Sequence, residues 1–149
     1  MQDRKKELQS SGIALVTGAS RGIGREVVRK LAMEGFVVVA LARHFPEGIF
    51  ADFGSRVRTV AFDLQDVSGI FGFVESLGPV SVLVNNAGVM HALTWKDYPD
   101  DMRERSLRVN LLAPVELMRA VAPGMMQRHC GAVVNVASIA GYIGHPDIW

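Results

Sequence analysis

The stretch TGASRGIG, residues 17–24, gathers groups suited to holding an anion. Gly18, Gly22 and Gly24 let the backbone turn sharply and come close to a bulky phosphate. Ser20 and Arg21 add a hydroxyl and a guanidinium between Thr17 and Ile23. A helical pattern begins at about Gly22, so free N–H groups and the positive end of a helix dipole meet whatever the loop holds. No Gly-Lys-Ser/Thr follows, so this is no Walker loop, and the spacing is not G-x-G-x-x-G either. The plain alternative is a structural glycine turn.

Other polar residues follow apolar runs. NNAG, residues 85–88, closes the run VSVLVN, Asp63 and Leu64 follow VRTVAF, Arg43 follows FVVVALA, and Ser138 follows GAVVNVA. A serine at a strand's carboxyl end can offer its hydroxyl to a substrate carbonyl oxygen, or simply cap a turn. Asn110 sits inside a helical stretch among Val109, Leu111 and Leu112, where asparagine is a mediocre helix former. It is either a functional residue or a solvent-facing one. Asn85 and Asn86 can also be read as turn residues.

These positions need a scaffold that brings run ends together. Residues 13–17, 36–42, 57–62, 80–85 and 131–137 read as buried strands, being short, apolar and β-branched. Helical patterns lie between them: 22–34, a short one over 66–77, and a long one from Asp100 or Asp101 to about Arg128, interrupted by Pro114 and Pro123. Alternating strands and helices predict an α/β, Rossmann-like, doubly wound parallel sheet with helices on both faces and strand order 3-2-1-4-5. The carboxyl ends of the strands then crowd one crevice, where ligands bind in such sheets. Residues 1–11 read as a flexible arm and 12–149 as the domain.

The set of motifs resembles the short-chain dehydrogenase/reductase family, whose cofactor loop reads T-G-x-x-x-G-x-G. NNAG, the helix asparagine at Asn110, the strand-end Ser138 and the pair Asp63–Leu64 fall in the family's order from Ile13 to Trp149. The resemblance implies a nicotinamide dinucleotide held by Thr17, Gly18, Ser20, Arg21, Gly22, Ile23, Gly24, Arg43, Asp63, Leu64, Asn86, Ala87 and Gly88. It implies a small carbonyl or secondary alcohol as substrate, with Ser138 polarising its oxygen and Asn110 helping to hold a water in a proton relay. The family's Y-x-x-x-K projects past Trp149; Tyr142, with Pro146 four residues on, is a poor substitute. The resemblance therefore implies an incomplete Rossmann domain lacking its C-terminal strands and an isolated chain without turnover, prone to aggregate along an exposed fifth strand. The full-length form would be a homo-oligomer. A non-catalytic dinucleotide-binding module and an inert fragment are the alternatives.

The cofactor's identity turns on the end of the second strand. A carboxylate there suits the ribose hydroxyls of NAD(H). This chain has Arg43 instead, with no acid before Glu47, and Arg21 adds a second cation. Forked guanidinium donors suit a ribose phosphate, so NADP(H) is favoured over NAD(H).

The remaining composition excludes other classes. Of 149 residues, 49% are hydrophobic and 21% charged, which is globular composition. A net charge of +1 gives no electrostatic case for nucleic acid or an anionic membrane. Cys130 is the single cysteine, so no intrachain disulfide forms. No apolar run suggests a signal peptide or membrane span, and the protein reads as cytoplasmic. His44, His91, His129 and His145 lack metal-ligand spacing and read as surface or loop residues. Cys130 reads as a packing residue and Met118, Met125 and Met126 as a helix face in the core or at a subunit contact. Arg103, Arg105 and Arg108, alternating with Glu104, read as a solvated face.

Overall fold

The computed structural model describes residues 2–91, 93, 95–141 and 143. Five strands, β1 Ile13–Thr17, β2 Val38–Ala42, β3 Val57–Ala61, β4 Val80–Asn85 and β5 Ala132–Asn135, pair in parallel in the order β3-β2-β1-β4-β5. This is the expected doubly wound arrangement. Successive side chains of a strand point to opposite faces, and each face of this sheet meets its own helices. Ala14 and Val16 of β1, with Val38 and Ala40 of β2, pack against Val28 and Ala32 of α2, Gly22–Met33. Leu15, Val39, Leu41 and Leu83 point the other way, onto Ile70 and Val74 of α3, Ile70–Leu77, and Leu117, Val121 and Met125 of α5, Ala113–Gln127. Met125 thus belongs to the core, whereas Met126 is exposed. Cys130 is buried as a packing residue.

Several boundaries differ from the expected ones for local reasons. The second strand begins at Val38 because Phe36 finishes the preceding helix. Gly35, at φ +94°, donates to the Ala32 carbonyl, and Phe36 donates to that of Leu31. This paired closure is the Schellman motif. Helix α3 starts four residues late because Asp66 builds a turn instead, its Oδ1 accepting from Ser68 Oγ and the Gly69 N–H. Strand β5 is short because its partner ends; the Val136 N–H makes a last bond to the Asn85 carbonyl at 2.8 Å.

The segment expected as a flexible arm is a helix, α1, Gln2–Ser11. Its composition is polar, and it is held by a few directed contacts. Leu8 packs on the α2 side of the sheet, Lys5 bonds the Glu34 carboxylate, and Gln9 donates to the Glu34 carbonyl at 2.6 Å. Lys30 reaches the same carboxylate at 2.8 Å. The hydrogen bond from Lys30, then that from Lys5, holds the Glu34 carboxyl down from 4.5 to about 2. A depressed carboxyl contributes stability that is fully present above its ordinary value and is lost as pH falls toward the folded value. Docking of α1 is therefore expected to weaken between pH 4.5 and about 2. Protection of α1 amides from hydrogen exchange should fall over that window in the native chain and not in Glu34→Gln; equal profiles for the two would rule out Glu34 as the cause.

The expected long helix is two helices joined by a wider turn. Helix α4, Asp100–Leu107, runs into a π-helical turn, Arg108–Leu112, and then α5. The Ala113 N–H reaches back five residues to the Arg108 carbonyl. Pro114 follows and has no N–H to close the next bond. Such turns often mark functional positions, and this one contains Asn110. Pro123 lies inside α5 without ending it.

Candidate functional site

At the carboxyl ends of the strands lies a cleft of about 420 Å³. Its floor is tied together by Thr17. The buried hydroxyl of Thr17 donates to the Val84 carbonyl at 3.3 Å and accepts the N–H groups of Asn86 and Ala87 at 3.0 and 2.9 Å. Asn86 answers from β4's side, its Nδ2 donating to the carbonyls of Thr17 and Gly18 at 3.0 and 3.3 Å. The glycine loop and the NNAG segment are thus one hydrogen-bonded unit across the β1–β4 seam.

The glycines allow this closeness. Gly18 has φ +66°, and a Cβ on it would lie 2.8 Å from Ala87 Cα. A Cβ on Gly24 would lie 2.4 Å from both Asn86 Nδ2 and the Gly18 carbonyl oxygen. Gly22 has φ +54° with nothing near, as befits a residue facing the open cleft.

Around this floor the structure brings together Gly18, Ser20, Arg21, Gly22, Ile23, Arg43, Asp63, Leu64, Asn86, Ala87 and Gly88. Thr17 and Gly24 stand behind the loop and shape it without lining the cleft. The Asp63 carboxylate accepts from the Gln65 N–H and Nε2 at 3.0 and 3.1 Å. No acidic side chain from the end of β2 lines the cleft, where Ala42, Arg43 and His44 follow one another.

Ser138 and Asn110 do not line the cleft. Ser138 is exposed, and its Oγ accepts the Ala140 N–H at 3.2 Å in the turn Ile139–Gly141. That is the turn-capping use of serine, with its own proton left to donate. Asn110 clamps the loop after NNAG. Its Oδ1 accepts the Val89 N–H and its Nδ2 donates to the Val89 carbonyl, both at 2.8 Å. Tyr142, His145 and Trp149 lie outside the described residues.

Asn85, read as a turn residue, is a buried strand end whose Nδ2 donates to Asn135 Oδ1 at 2.8 Å. Phe62, Val89, Arg105, Val109 and His44 are cleft residues that motif reading passed over. His44, read as a surface or loop residue, is exposed in the loop after β2 and also lines the cleft. The arginines of α4 and of the start of the π turn are also not one solvated face. Arg103 pairs with Asp100 and Arg108 with Glu104, each at 2.8 Å, while Arg105 turns into the cleft. The usable signal was spacing, since Arg105 and Val109 are four apart and share a helix face.

Among the described residues, no group of three or more His, Cys, Asp or Glu is placed to hold a metal ion. No described helix is long and apolar enough to cross a membrane.

The family model described as short chain dehydrogenase matches residues 12–148. The chain belongs to the short-chain dehydrogenase family. It is 36% identical over 140 residues to the ketoacyl reductase HetN of Nostoc sp., covering 87% of this chain and 48% of that protein. A metagenomic short-chain oxidoreductase solved with NADP is 34% identical, with a TM-score of 0.85 over 94% of this chain and 67% of that one. A 4-hydroxyisoleucine dehydrogenase solved with NADH and succinate is 27% identical, with a TM-score of 0.83 over 91% of this chain and 61% of that one. The chain spans about half the length of the curated relatives it matches.

Within the family fold, β5 is an edge among the described residues, and Val133, Val134 and Val136 are 40%, 50% and 40% exposed. An apolar edge of this kind favours pairing with further chain.

Proposed function

We propose that residues 12–149 are the cofactor-binding part of an NADP(H)-dependent oxidoreductase acting on a carbonyl or secondary alcohol. The observation that carries the cofactor choice is the pairing of Arg21 and Arg43 in the wall of one cleft, beside a β2 end without a carboxylate. Two forked cations favour a ribose phosphate over a ribose diol. The chain's own residues fit a dinucleotide in other respects. Gly18 and Gly22 bring backbone to the cleft, the N-terminus of α2 offers unpaired N–H groups to a pyrophosphate, and Asp63–Leu64 stand where a purine would end. When bound, the nicotinamide would supply the hydride.

The remaining residues hold geometry and protons. Ser138 keeps a donatable hydroxyl proton for a substrate oxygen. Asn110 fixes Val89 and the π turn, and so acts on a proton relay by positioning, its side chain being engaged. A second reading, a dinucleotide-binding module without turnover, is supported by the exposed, turn-capping state of Ser138. We also propose a cytoplasmic setting and a homo-oligomeric full-length form.

Parallel titrations of the chain with NADPH and NADH, followed by nicotinamide fluorescence, test the cofactor reading. NADPH is expected to bind at least tenfold more tightly, the worth of about one charge-assisted bond. Equal or tighter binding of NADH would overturn it.

A further inference from the structure

Arg105 carries a charge into the cleft and finds no partner there among the described residues. Its Nε is buried and makes no hydrogen bond to any described residue. Among the described residues, three other buried polar atoms share that state, on Asn85, His91 and Arg128. The His91 ring lies against that of Tyr98, centroids 5.9 Å apart, outside the cleft wall, and the other two side chains are engaged elsewhere. Asn85 donates to Asn135, and Arg128 Nη2 donates to the Val80 carbonyl at 2.8 Å. Arg105 makes no hydrogen bond or ion pair with any of its nitrogens among the described residues. Its own helix supplies none: Asp100 and Glu104 are committed to Arg103 and Arg108, and Asp101, four residues before it, makes no ion pair with it. A buried donor left unpaired costs about 1–3 kcal/mol, so that cost is relieved by an acceptor that enters the cleft at Arg105 Nε.

The surroundings say what that is. Arg108 donates to the Gln65 carbonyl at 3.5 Å, which draws the end of α4 against the loop that follows β3. Arg105 and Val109, one turn apart, then line the cleft beside Phe62, Asp63 and Leu64. The apolar members of this wall suit a flat ring. Asp63 is an acceptor with lone pairs to spare, and Arg105 is a donor with none of its hydrogens used. Adenine presents both complements on one edge, an exocyclic amine that donates and ring nitrogens that accept.

We propose that Arg105 reads the adenine ring, its Nε–H donating to a ring nitrogen while the Asp63 carboxylate accepts from the exocyclic amine. The inference rests on the dinucleotide reading above and goes beyond it by giving the purine end a selective contact. Its role is distinct from that of Arg21 and Arg43, which face the ribose end.

Two variants of the chain, Arg105→Met and Arg105→Lys, test it by calorimetric titration with adenosine 2′,5′-bisphosphate and by thermal unfolding without ligand. Arg105→Met is expected to bind the bisphosphate about tenfold more weakly, with the NADPH-to-NADH affinity ratio unchanged. Its ligand-free melting temperature should stay level or rise, since an unpaired buried donor has been removed. The wild-type preference for the adenine compound over its hypoxanthine analogue should shrink in Arg105→Met. Arg105→Lys should restore affinity only in part, because it keeps the charge and loses the fixed donor. A drop in the ligand-free melting temperature, unchanged bisphosphate affinity, a changed dinucleotide ratio or full restoration by lysine would each overturn the assignment. Failure of the wild-type chain to bind any of these nucleotides would overturn the cofactor reading itself, and this inference with it.

Discussion

Exchanging Arg43 for Asp is expected to lower NADPH affinity about a hundredfold while leaving NADH affinity within about threefold. The loss has two parts. A guanidinium bonded to a phosphate is worth about 1.5–3 kcal/mol, or roughly ten- to hundredfold. The new carboxylate then repels the same phosphate. NADH has no phosphate at that ribose and gains an acceptor for its hydroxyls, the arrangement used by NAD-selective folds. Arg43 is exposed, so salt will screen part of the effect, and titrations at low and high ionic strength should differ for NADPH alone. Equal losses for the two dinucleotides would remove the case for NADP(H). If Arg21 and Arg43 grip one phosphate, their alanine variants should also be non-additive, by about 0.5–3 kcal/mol in a double-mutant cycle.

Gly18→Ala should cost about 3 kcal/mol of folding stability and abolish measurable dinucleotide binding, whereas Gly22→Ala should cost about 1 kcal/mol. Both glycines occupy the left-handed region, at φ +66° and +54°, so both substitutions carry a backbone penalty of about 1–2 kcal/mol. They part company in what the new methyl meets. At Gly22 it enters open space. At Gly18 it comes within 2.8 Å of Ala87 Cα and 2.9 Å of Asn86 Nδ2, so the loop must leave the NNAG segment. That movement breaks the Asn86 bonds to Thr17 and Gly18. Urea unfolding with parallel NADPH titrations would measure both effects. Equal destabilisation by the two substitutions would mean that the close packing seen at Gly18 is not what requires glycine there.

Much of the scaffold was legible because apolar runs of strand length report themselves. β1 and β4 begin and end where expected, since glycine or asparagine stops each run. Legibility failed where a side chain or a partner strand sets the boundary. Asp66 diverts a helix start, Phe36 is taken by a helix end, and β5 stops with β4. Helix α1 was invisible for another reason: Leu8 is its one large apolar residue, so it has no periodicity to read. Within the site, motifs identified the loops but not the jobs of their side chains. Thr17 and Gly24 belong to the motif yet serve the seam, and Asn110 spends its amide on Val89. Arg105 belongs to no motif, and only the packing of α4 against residues 63–65 turns it inward.

The Thr17–Asn86 clamp divides the cleft into two parts with different freedom to change over generations. Its floor holds β1 and β4 together, so a substitution there harms folding before it can alter what is bound. The rim is different. Arg21, Arg43 and His44 are exposed, and no ion pair among the described residues involves them. Exchanges on that rim leave the seam intact and, on the proposed cofactor reading, change only the charge offered to the ribose. On that reading a lineage carrying this architecture can drift between phosphorylated and unphosphorylated dinucleotides by single steps, each with a foldable intermediate, while the seam beneath stays fixed.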